Sequence, residues 1–280
     1  MKKRTTFILS VLMFFSLTAC GSRESQTYDS NDPQPALSGI SASEEAESED
    51  GGNNTLAAKH TIGDIILEDG SEVKAAELVT VDSSNLPVAV IAEIREDGTA
   101  LGLGVHRSSG PLQWALDNTA GETTRFTDIV CTQNDTGNEN AADAGFSGAA
   151  DGSGSWNVIC SMDKQGIEHA AKNYPAFHFV NTYAETYGLA GDYASGWYMP
   201  GIAEVCAVYR NRESINTSLK KIYELDDSAA MDGLGTNWYW SSSQSDANDD
   251  YAWFVHYFNG YVCDCPKNFT NLHVLAVRIF

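Results

Sequence analysis

The chain has 280 residues, of which 42% are hydrophobic, and this length is sufficient for one large domain or two small domains with a substantial core. Its 38 acidic residues outnumber its 17 basic residues, so the net charge is −21. A nucleic-acid-binding protein needs clustered Lys and Arg to neutralise phosphates, and this composition therefore argues against a nucleic-acid ligand.

The first residues have the organisation of an export signal. Basic residues at positions 2–4 precede an apolar run over 7–17 that is too short to span a bilayer. The run ends in Leu-Thr-Ala-Cys-Gly with Cys20 in the fourth position, which resembles the lipobox of bacterial lipoproteins. The resemblance implies that residues 1–19 are a signal peptide and that Cys20 becomes the lipidated first residue. The alternative is an ordinary signal peptide with a chance cysteine.

Lipidation at this position implies that the protein is located in the cell envelope. Several acyl chains on one residue give a stable anchor, since each buried CH₂ contributes ~0.8 kcal/mol. Gly21, rather than Asp, follows the cysteine, which resembles cargo that leaves the inner membrane of a two-membrane bacterium. We therefore expect a lipid-anchored protein on the outer surface.

Residues 20–60 are predicted to be a disordered acidic tether. Ser, Glu, Asp, Asn and Gly dominate this stretch, and 44–50 is an acidic block. Such a composition cannot bury enough apolar surface to offset its ordering entropy. The tether would hold a folded domain of residues 61–280 away from the membrane.

Short strands are predicted at the start of this domain. A strand is expected over 62–67, and a hairpin is expected from Pro87–Ile94 and 100–105 around the Glu-Asp-Gly at 96–98. Residues 132–155 are rich in Asn, Asp, Gly, Ala and Ser and predict a long loop. Cys131 and Cys160 flank this stretch and are the favoured disulfide pair, although five cysteines remain after Cys20 and at least one must stay unpaired.

Helices are predicted in the middle of the domain. The stretch 167–187 has helical patches, with Pro175 as a break or new start and Gly188 as a stop. A second helix is expected over 214–224. Apolar residues spaced i, i+3, i+4, i+7 predict another amphipathic helix, and they are Ile202, Val205, Cys206 and Tyr209. Cys206 is expected to be a small buried residue of this helix.

The last 44 residues are rich in aromatic side chains, which make up a quarter of them. Trp238 begins a predicted strand that runs into a polar turn at 241–243. Asn259-Gly260 fits a type I′ hairpin turn, because both residues tolerate positive φ. Further strands are predicted at 251–258, 261–265 and 272–280. The order of strands, helices and an antiparallel meander predicts an α+β fold.

Four short sequence blocks occur in a specific order. They are Gly63-Asp64-Ile65-Ile66-Leu67; Gly196-Trp197-Tyr198-Met199-Pro200 with Ala203-Glu204; Tyr239-Trp240-Ser241-Ser242-Ser243; and Ala252-Trp253, Gly260, Lys267 and Ala276-Val277-Arg278-Ile279-Phe280. The arrangement resembles bacterial lipoprotein families with a C-type-lectin-like, formylglycine-generating-enzyme-like domain, including the Lcl C-terminal domain family. The resemblance implies a C-type-lectin-like fold over 62–280, with antiparallel strands, a few helices, long loops and paired terminal strands. Met199 and Leu275 depart from the family pattern, which more often has Leu and Arg.

Some members of these families resemble the variable proteins of diversity-generating retroelements, in which the last strands carry a randomised ligand surface. Adenine-directed mutation of Asn-type codons cannot produce Trp, Met, Gln, Lys or Glu. Residues 254–280 contain none of these types except Lys267. The alternative explanation is that strands disfavour Glu, Gln and Lys in any protein.

Catalytic and metal sites find little support in the sequence. A formylglycine-generating activity needs cysteines arranged for oxygen chemistry, and Cys263 and Cys265 form a C-x-C pair without a supporting histidine. Asp246, Asn248, Asp249 and Asp250 form an acidic loop that could suit calcium, but the lectin signatures Glu-Pro-Asn and Trp-Asn-Asp are absent. We therefore predict no enzyme, no cofactor and no metal.

A binding surface is the remaining interpretation. Tyrosine supplies rigid contact area, and Asn and Asp supply adaptable hydrogen bonds. The predicted ligand-binding residues are Tyr251, His256, Tyr257, Tyr261, Asp264, Asn268 and Asn271. Half of each strand must face the core, and the sequence leaves open which half. Core positions are predicted for Trp197, Trp238 and Trp240, and structural roles for Lys267 and Arg278.

The sequence thus predicts a lipid-anchored envelope protein that binds a protein or glycan ligand without chemistry. The alternatives are a structural envelope domain without a dedicated ligand and an oxidoreductase related to formylglycine-generating enzymes.

Overall fold

A computed structural model describes residues 60–134 and 139–280. The predicted signal peptide, Cys20 and nearly all of the predicted tether lie outside these residues. Among the residues it describes, none of the helices combines the length and apolar character needed to cross a membrane. The fold is α+β, as the sequence predicts, and is built from two five-stranded sheets and several helices.

The first sheet contains β1 (Ile65–Leu67), β2 (Glu72–Val73), β3 (Pro87–Ile94), β4 (Ala100–Arg107) and β10 (Leu275–Ile279). Its strands are antiparallel and lie in the order β10–β4–β3–β1–β2. The predicted hairpin of β3 and β4 is confirmed. The first and last strands share this sheet, but β10 pairs with β4, so the expected pairing of the terminal strands with each other is wrong.

The second sheet contains β5 (Val130–Gln133), β6 (Phe146–Gly148), β7 (Trp238–Ser245), β8 (Tyr251–His256) and β9 (Tyr261–Pro266). Their order is β6–β5–β7–β8–β9, with β5 and β7 parallel. Strand β6 interrupts the long loop predicted over 132–155. Gly148 has a φ of +92°, and a side chain there would meet the Val130 carbonyl oxygen at 2.5 Å. Only glycine therefore lets β6 end against β5 in this way.

The polar turn predicted at 241–243 is instead the buried interior of β7. The Ser241 hydroxyl donates to the Trp253 carbonyl oxygen at 2.9 Å, and the Ser243 hydroxyl donates to that of Ala149 at 2.9 Å. A buried hydroxyl with a partner avoids most of the cost of desolvation. These hydrogen bonds let the serines lie inside a central strand, which their polar composition does not predict.

The helices are α1 (Ala120–Thr123), α2 (Ser155–Met162), α3 (Lys164–Ile167), α4 (Ala170–Asn173), α5 (Pro175–Asn181), α6 (Tyr183–Thr186), α7 (Ile202–Arg210) and α8 (Arg212–Leu225). Pro175 begins α5, as predicted, because a first-turn residue needs no N–H donor. Gly188 follows α6 with a φ of +70° and is the predicted stop. The predicted amphipathic helices correspond to α7 and α8, whose apolar faces are buried.

The core lies on both faces of the second sheet. Tyr239 and Val255 point into one cluster of buried side chains, which also contains the apolar faces of α7 and α8. Trp240 and Phe254, one residue along each strand, point into the other cluster. Successive side chains of a strand alternate between faces, so β7 and β8 separate the two halves of the core.

For the described cysteines, the predicted disulfide is wrong and the predicted burial of Cys206 is confirmed. Cys131 and Cys160 are both free, so the favoured disulfide does not form. The Cys131 thiol is buried in β5 and donates to the Ser147 carbonyl oxygen at 3.2 Å, whereas Cys160 is partly exposed on α2. Cys206 is buried on α7, as predicted, and burial raises its pKa to about 12.

Candidate functional site

An aromatic patch lies on the outer part of the second sheet, and we define it as Trp238, Phe254, His256, Phe258 and Phe269. The Trp238 ring centroid lies 5.4 Å from that of Phe254 and 6.4 Å from that of Phe269. The planes of these ring pairs differ by 12° and 16°. Offset, nearly parallel rings at such distances attract one another, so Trp238 joins the two phenylalanines into one surface.

The patch continues from Trp238 through His256 to Phe258. The Trp238 and His256 ring centroids are 4.8 Å apart, and those of His256 and Phe258 are 6.0 Å apart. Phe258 is 71% exposed and Phe269 is 39% exposed, whereas Phe254 is buried. The patch thus has a buried base and two exposed ends. The partly buried rings of His256 and Trp238 connect the exposed Phe258 to the exposed Phe269.

Strand register builds this patch. Trp238 pairs with His256 across β7 and β8, and Trp240 pairs with Phe254. Directly paired residues lie on the same face of a sheet, so these four side chains share one face. The middle of that face is covered by the core, and its outer end is left partly open.

A four-residue turn connects β8 to β9. The predicted type I′ turn is wrong, because His256 pairs with Tyr261 and Asn259 lacks the positive φ that this turn requires. Gly260 has a φ of +76° and donates its N–H to the His256 carbonyl oxygen at 2.8 Å. A side chain at Gly260 would lie 2.6 Å from the Tyr209 ring, so the position requires glycine.

The charge of the patch depends on His256. Partial burial lowers the pKa of this imidazole below its ordinary value of 6.5, and a hydrogen bond to Asn259 opposes the shift. The imidazole is therefore predominantly neutral at pH 7. The patch carries no formal charge under these conditions.

The predicted ligand-binding residues divide between the two faces of the sheet. His256 lies in the patch, and Tyr261, its register partner, lies on the same face. Tyr251 and Asp264 lie on the opposite face of β8 and β9, by strand alternation. Asp264 accepts a hydrogen bond of 2.5 Å from the Ser245 hydroxyl, and burial raises the pKa of its carboxyl group. One ligand cannot contact both faces of the sheet at once.

The prediction that Tyr257 lies on the ligand-binding surface is wrong. Its side chain is 4% exposed and belongs to the core. The Tyr257 hydroxyl donates to the Val205 carbonyl oxygen at 2.8 Å, and its ring packs edge-to-face against Tyr209 and Tyr239. Tyr257 is the first residue of the turn after β8, and its side chain packs against α7.

The two predicted asparagines after β9 have different surroundings. The Asn268 amide donates to the Glu122 carboxylate at 2.6 Å and to that of Asp117 at 2.9 Å. This amide therefore joins two segments of the protein. Asn271 is exposed, close in sequence to Phe269, and is the better placed of the two for a ligand.

The tryptophan predictions are confirmed at Trp197 and Trp240, which are buried. Trp238 is partly buried against the second core cluster and forms the centre of the patch. Phe258 and Phe269 were missed by the sequence reasoning, which favoured tyrosine and asparagine. The available signal was the position of each phenylalanine in an otherwise polar turn or loop.

Lys267 holds the segment that carries Phe269. It is completely buried, and its ammonium lies 4.9 Å from the Trp114 ring centroid and 5.1 Å from that of Phe126. Its Nζ donates to three carbonyl oxygens, those of Gly121 (3.3 Å), Thr124 (2.8 Å) and Asp249 (2.7 Å). Burial lowers the pKa of Lys267 to about 7, while the neighbouring acidic residues oppose the shift. The expected structural role of Lys267 agrees with these contacts.

Arg278 and the acidic loop also make structural contacts. Arg278 donates to the carbonyl oxygens of Ser195 and Asp192 at 3.0 and 2.7 Å. In the acidic loop, the Asp249 carboxylate pairs with Arg125 at 2.9 Å. Within residues 60–134 and 139–280, no group of three or more His, Cys, Asp or Glu side chains could hold a metal ion.

Glu204 is a buried carboxyl group with a structural explanation. Its Oε1 lies 2.5 Å from Arg95 Nη2 and accepts from the Tyr198 hydroxyl at 2.7 Å. Its Oε2 accepts from the N–H groups of Gly152 and Gly201 at 2.9 and 2.8 Å. Burial raises the pKa of Glu204 to about 7, against the effect of these hydrogen bonds. The side chain thus caps α7 and holds the segment before α2 in place.

The larger of two cavities described here lies beside the first sheet, away from the patch. It has a volume of about 590 Å³ and is lined in part by His60, Glu72, Tyr193 and Arg278. Its cationic side chain, Arg278, is already bound to backbone carbonyl groups. A second cavity of about 140 Å³ lies next to His106. In the larger cavity, His60 Nδ1 lies 2.7 Å from the Glu72 carboxylate, so these two side chains are paired with each other.

Comparison with known proteins adds one distant structural likeness. No family model and no curated protein matches the chain. Among solved structures, the chain is similar to a fimbrial protein from Bacteroides ovatus ATCC 8483, with 15% sequence identity and a TM-score of 0.49. The match covers 79% of this chain and 48% of that protein, so the chain spans about half of its length. A likeness this distant carries no statement about function.

Proposed function

We propose that this protein is a lipid-anchored envelope lipoprotein that displays a non-catalytic ligand-binding domain. The observation that carries this proposal is the aromatic patch, whose two ends, Phe258 and Phe269, are exposed to solvent. Large aromatic rings at a surface cost free energy unless a partner covers them. The patch is therefore the binding surface of the proposed function.

The chemistry of the patch supports binding rather than catalysis. Its single titratable side chain is His256, whose neighbours in the patch are aromatic rings. A general base needs a substrate proton within reach and a group that orients the imidazole, and a nucleophile needs a base beside it. The four phenylalanine and tryptophan side chains of the patch supply neither.

The C-type-lectin-like assignment and the surface location belong to the same proposal. The ordered sequence blocks support the assignment, and the lipobox-like motif at Cys20 supports the anchor. Four of the five patch residues lie within 254–280, the segment that resembles a diversified region. Phe and His are both among the residue types that such mutation can reach, so this placement is compatible with a variable binding surface.

An array experiment tests the proposed function. The full-length lipoprotein in detergent micelles is applied to arrays of glycans and of extracellular proteins. We expect specific binding to at least one class, and weaker binding for the Phe258→Ala variant. Absence of binding to every probe would favour the structural envelope domain. Copper binding together with a reactive thiol would favour the oxidoreductase.

A further inference from the structure

The segments that build the aromatic patch contain no charged residue. They are residues 236–240, 254–261 and 268–273, which together comprise 19 positions. At the chain's overall charged content of 20%, about four charged residues would be expected there. The polar residues in these segments are instead amides, hydroxyls and imidazoles.

Charged residues next to these segments are engaged elsewhere. Lys267 directly precedes the third segment, but it is fully buried and its ammonium is held by backbone carbonyl groups. Asp264 lies on the opposite face of the sheet and accepts a hydrogen bond from Ser245. The carboxylates of Asp117 and Glu122 lie beside the third segment, where both accept hydrogen bonds from the Asn268 amide. An anionic ligand would therefore find no counter-ion in the patch, and the net charge of −21 repels polyanions.

The exposed area of the patch suits a small ligand group. Taking roughly 200 Å² for a phenylalanine side chain, the exposed fractions of Phe258 and Phe269 offer about 220 Å². A specific protein interface buries about 800 Å² on each partner. The two exposed rings can cover one or two sugar rings, whereas a protein partner would also have to bury the surface around the patch.

We propose that the aromatic patch binds neutral saccharides. The apolar C–H face of a sugar ring packs on Phe258 or Phe269, because aromatic faces attract the polarised edges of C–H groups. The exposed Asn271 amide lies two residues from Phe269 and provides hydrogen bonds to sugar hydroxyls. The Asn259 amide, next to Phe258, already accepts from the Tyr261 N–H at 3.1 Å through its oxygen and offers its remaining donors. This inference rests on the proposed function and specifies its ligand.

The test uses the full-length lipoprotein in detergent micelles. Neutral oligomers of hexose and N-acetylhexosamine are titrated by calorimetry, and sulfated and sialylated oligomers are titrated in parallel. We expect the neutral oligomers to bind with the same affinity at low and high salt and in the presence of EDTA. The Phe258→Ala and Phe269→Ala variants should each lose about tenfold in affinity.

Tyr223→Ala is the matched control, because Tyr223 is 40% exposed on α8, outside the patch. It should bind like the unaltered protein, and the unfolding temperatures of all three variants should agree. A preference for anionic oligomers, loss of binding in EDTA, or neutral binding that survives both patch variants would overturn the inference. Binding of a protein ligand alone through the patch would overturn the saccharide inference but leave the proposed function standing. Failure of every glycan and protein probe would overturn both.

Discussion

Lys267 donates to the carbonyl oxygen of Asp249 across 2.7 Å, and this bond joins the acidic loop to the segment that carries Phe269. The same ammonium reaches Gly121 and Thr124, so one side chain fixes three segments. Lys267 therefore positions one end of the aromatic patch although it does not belong to the patch.

Replacing Lys267 with Met should destabilise the protein by about 1–3 kcal/mol. The change removes the Lys267 donor from three carbonyl groups. Those of Thr124 and Asp249 still accept from the Gln244 amide at 3.3 and 2.6 Å, whereas that of Gly121 is left unsatisfied, and one unsatisfied group costs about 1–3 kcal/mol. The free energy of unfolding in urea measures this effect. Lys220→Met, at an exposed position of α8, is the control and should change stability by less than about 0.5 kcal/mol. Equal stability of the two variants would contradict the role given to Lys267.

The stability of the protein should depend on pH through Lys267. Its pKa is about 7 in the folded protein, against an ordinary value of 10.5. Between these values the unfolded chain binds a proton that the folded chain does not, so the contribution of Lys267 to stability rises with pH and is lost as pH falls toward 7. The slope is limited to about 1.4 kcal/mol per pH unit for one proton.

Urea unfolding of the unaltered protein and of Lys267→Met at pH 7, 8 and 9 checks this dependence. The difference in the free energy of unfolding between them should widen as the pH rises. A difference that stays constant would show that the folded protein keeps the proton on Lys267.

Two glycines with similar φ provide a test of the turn before β9. Gly260 and Gly98 have φ values of +76° and +84°, but a side chain at Gly260 would meet the Tyr209 ring, whereas the space at Gly98 is open. Gly98→Ala should cost about 1 kcal/mol from backbone strain. Gly260→Ala should cost about 1–3 kcal/mol more, because Tyr209 must move. Denaturant unfolding measures both, and equal losses would show that Tyr209 gives way freely.

Substitutions at two adjacent residues should affect stability and ligand binding differently. Tyr257→Phe removes the hydrogen bond to Val205 and should lower the free energy of unfolding by about 1 kcal/mol while leaving ligand affinity unchanged. Phe258→Ala, at an exposed position, should weaken binding and leave stability nearly unchanged. Calorimetric titration and urea unfolding of both variants test the contrast. A loss of affinity in Tyr257→Phe would restore Tyr257 to the binding surface.

The lipid anchor is tested at Cys20. Cys20→Ser should abolish acylation and move the protein from the membrane fraction to the soluble fraction, because the serine hydroxyl cannot form the thioether of a lipoprotein. Metabolic labelling with a palmitate analogue and detergent phase partitioning measure the two effects. Cys160→Ser, which changes a partly exposed thiol of the folded domain, should remain labelled. Labelling that persists in Cys20→Ser would place the lipid elsewhere.

Elements with a clear hydrophobic period were predictable from the sequence. The hairpin of β3 and β4 and the helices α7 and α8 follow from alternation and from i, i+3, i+4 spacing. The interior of β7 was not predictable, because Ser241 to Ser245 is polar and its burial depends on acceptors far away in the sequence. Strand β6 was missed for a similar reason, since its partner residues in β5 are 13 to 17 positions away and its own composition is typical of a loop.

The candidate site was predictable in region but not in detail. The aromatic content of the last 44 residues points to the second sheet, and His256, a predicted ligand-binding residue, lies in the patch on that sheet. Which face of β8 stays open depends on where α7 packs, and that packing buries Tyr257 while it leaves Phe258 outside. A single sequence does not show which face of β8 is covered.

The pairing of β10 with β4 has a consequence for biogenesis. The two strands come from opposite ends of the domain, so the first sheet cannot close until nearly all of the domain has been synthesised. Contacts this distant along the chain form slowly. Under the proposed envelope location, slow closure would keep the chain open enough to be threaded through a membrane before it becomes compact.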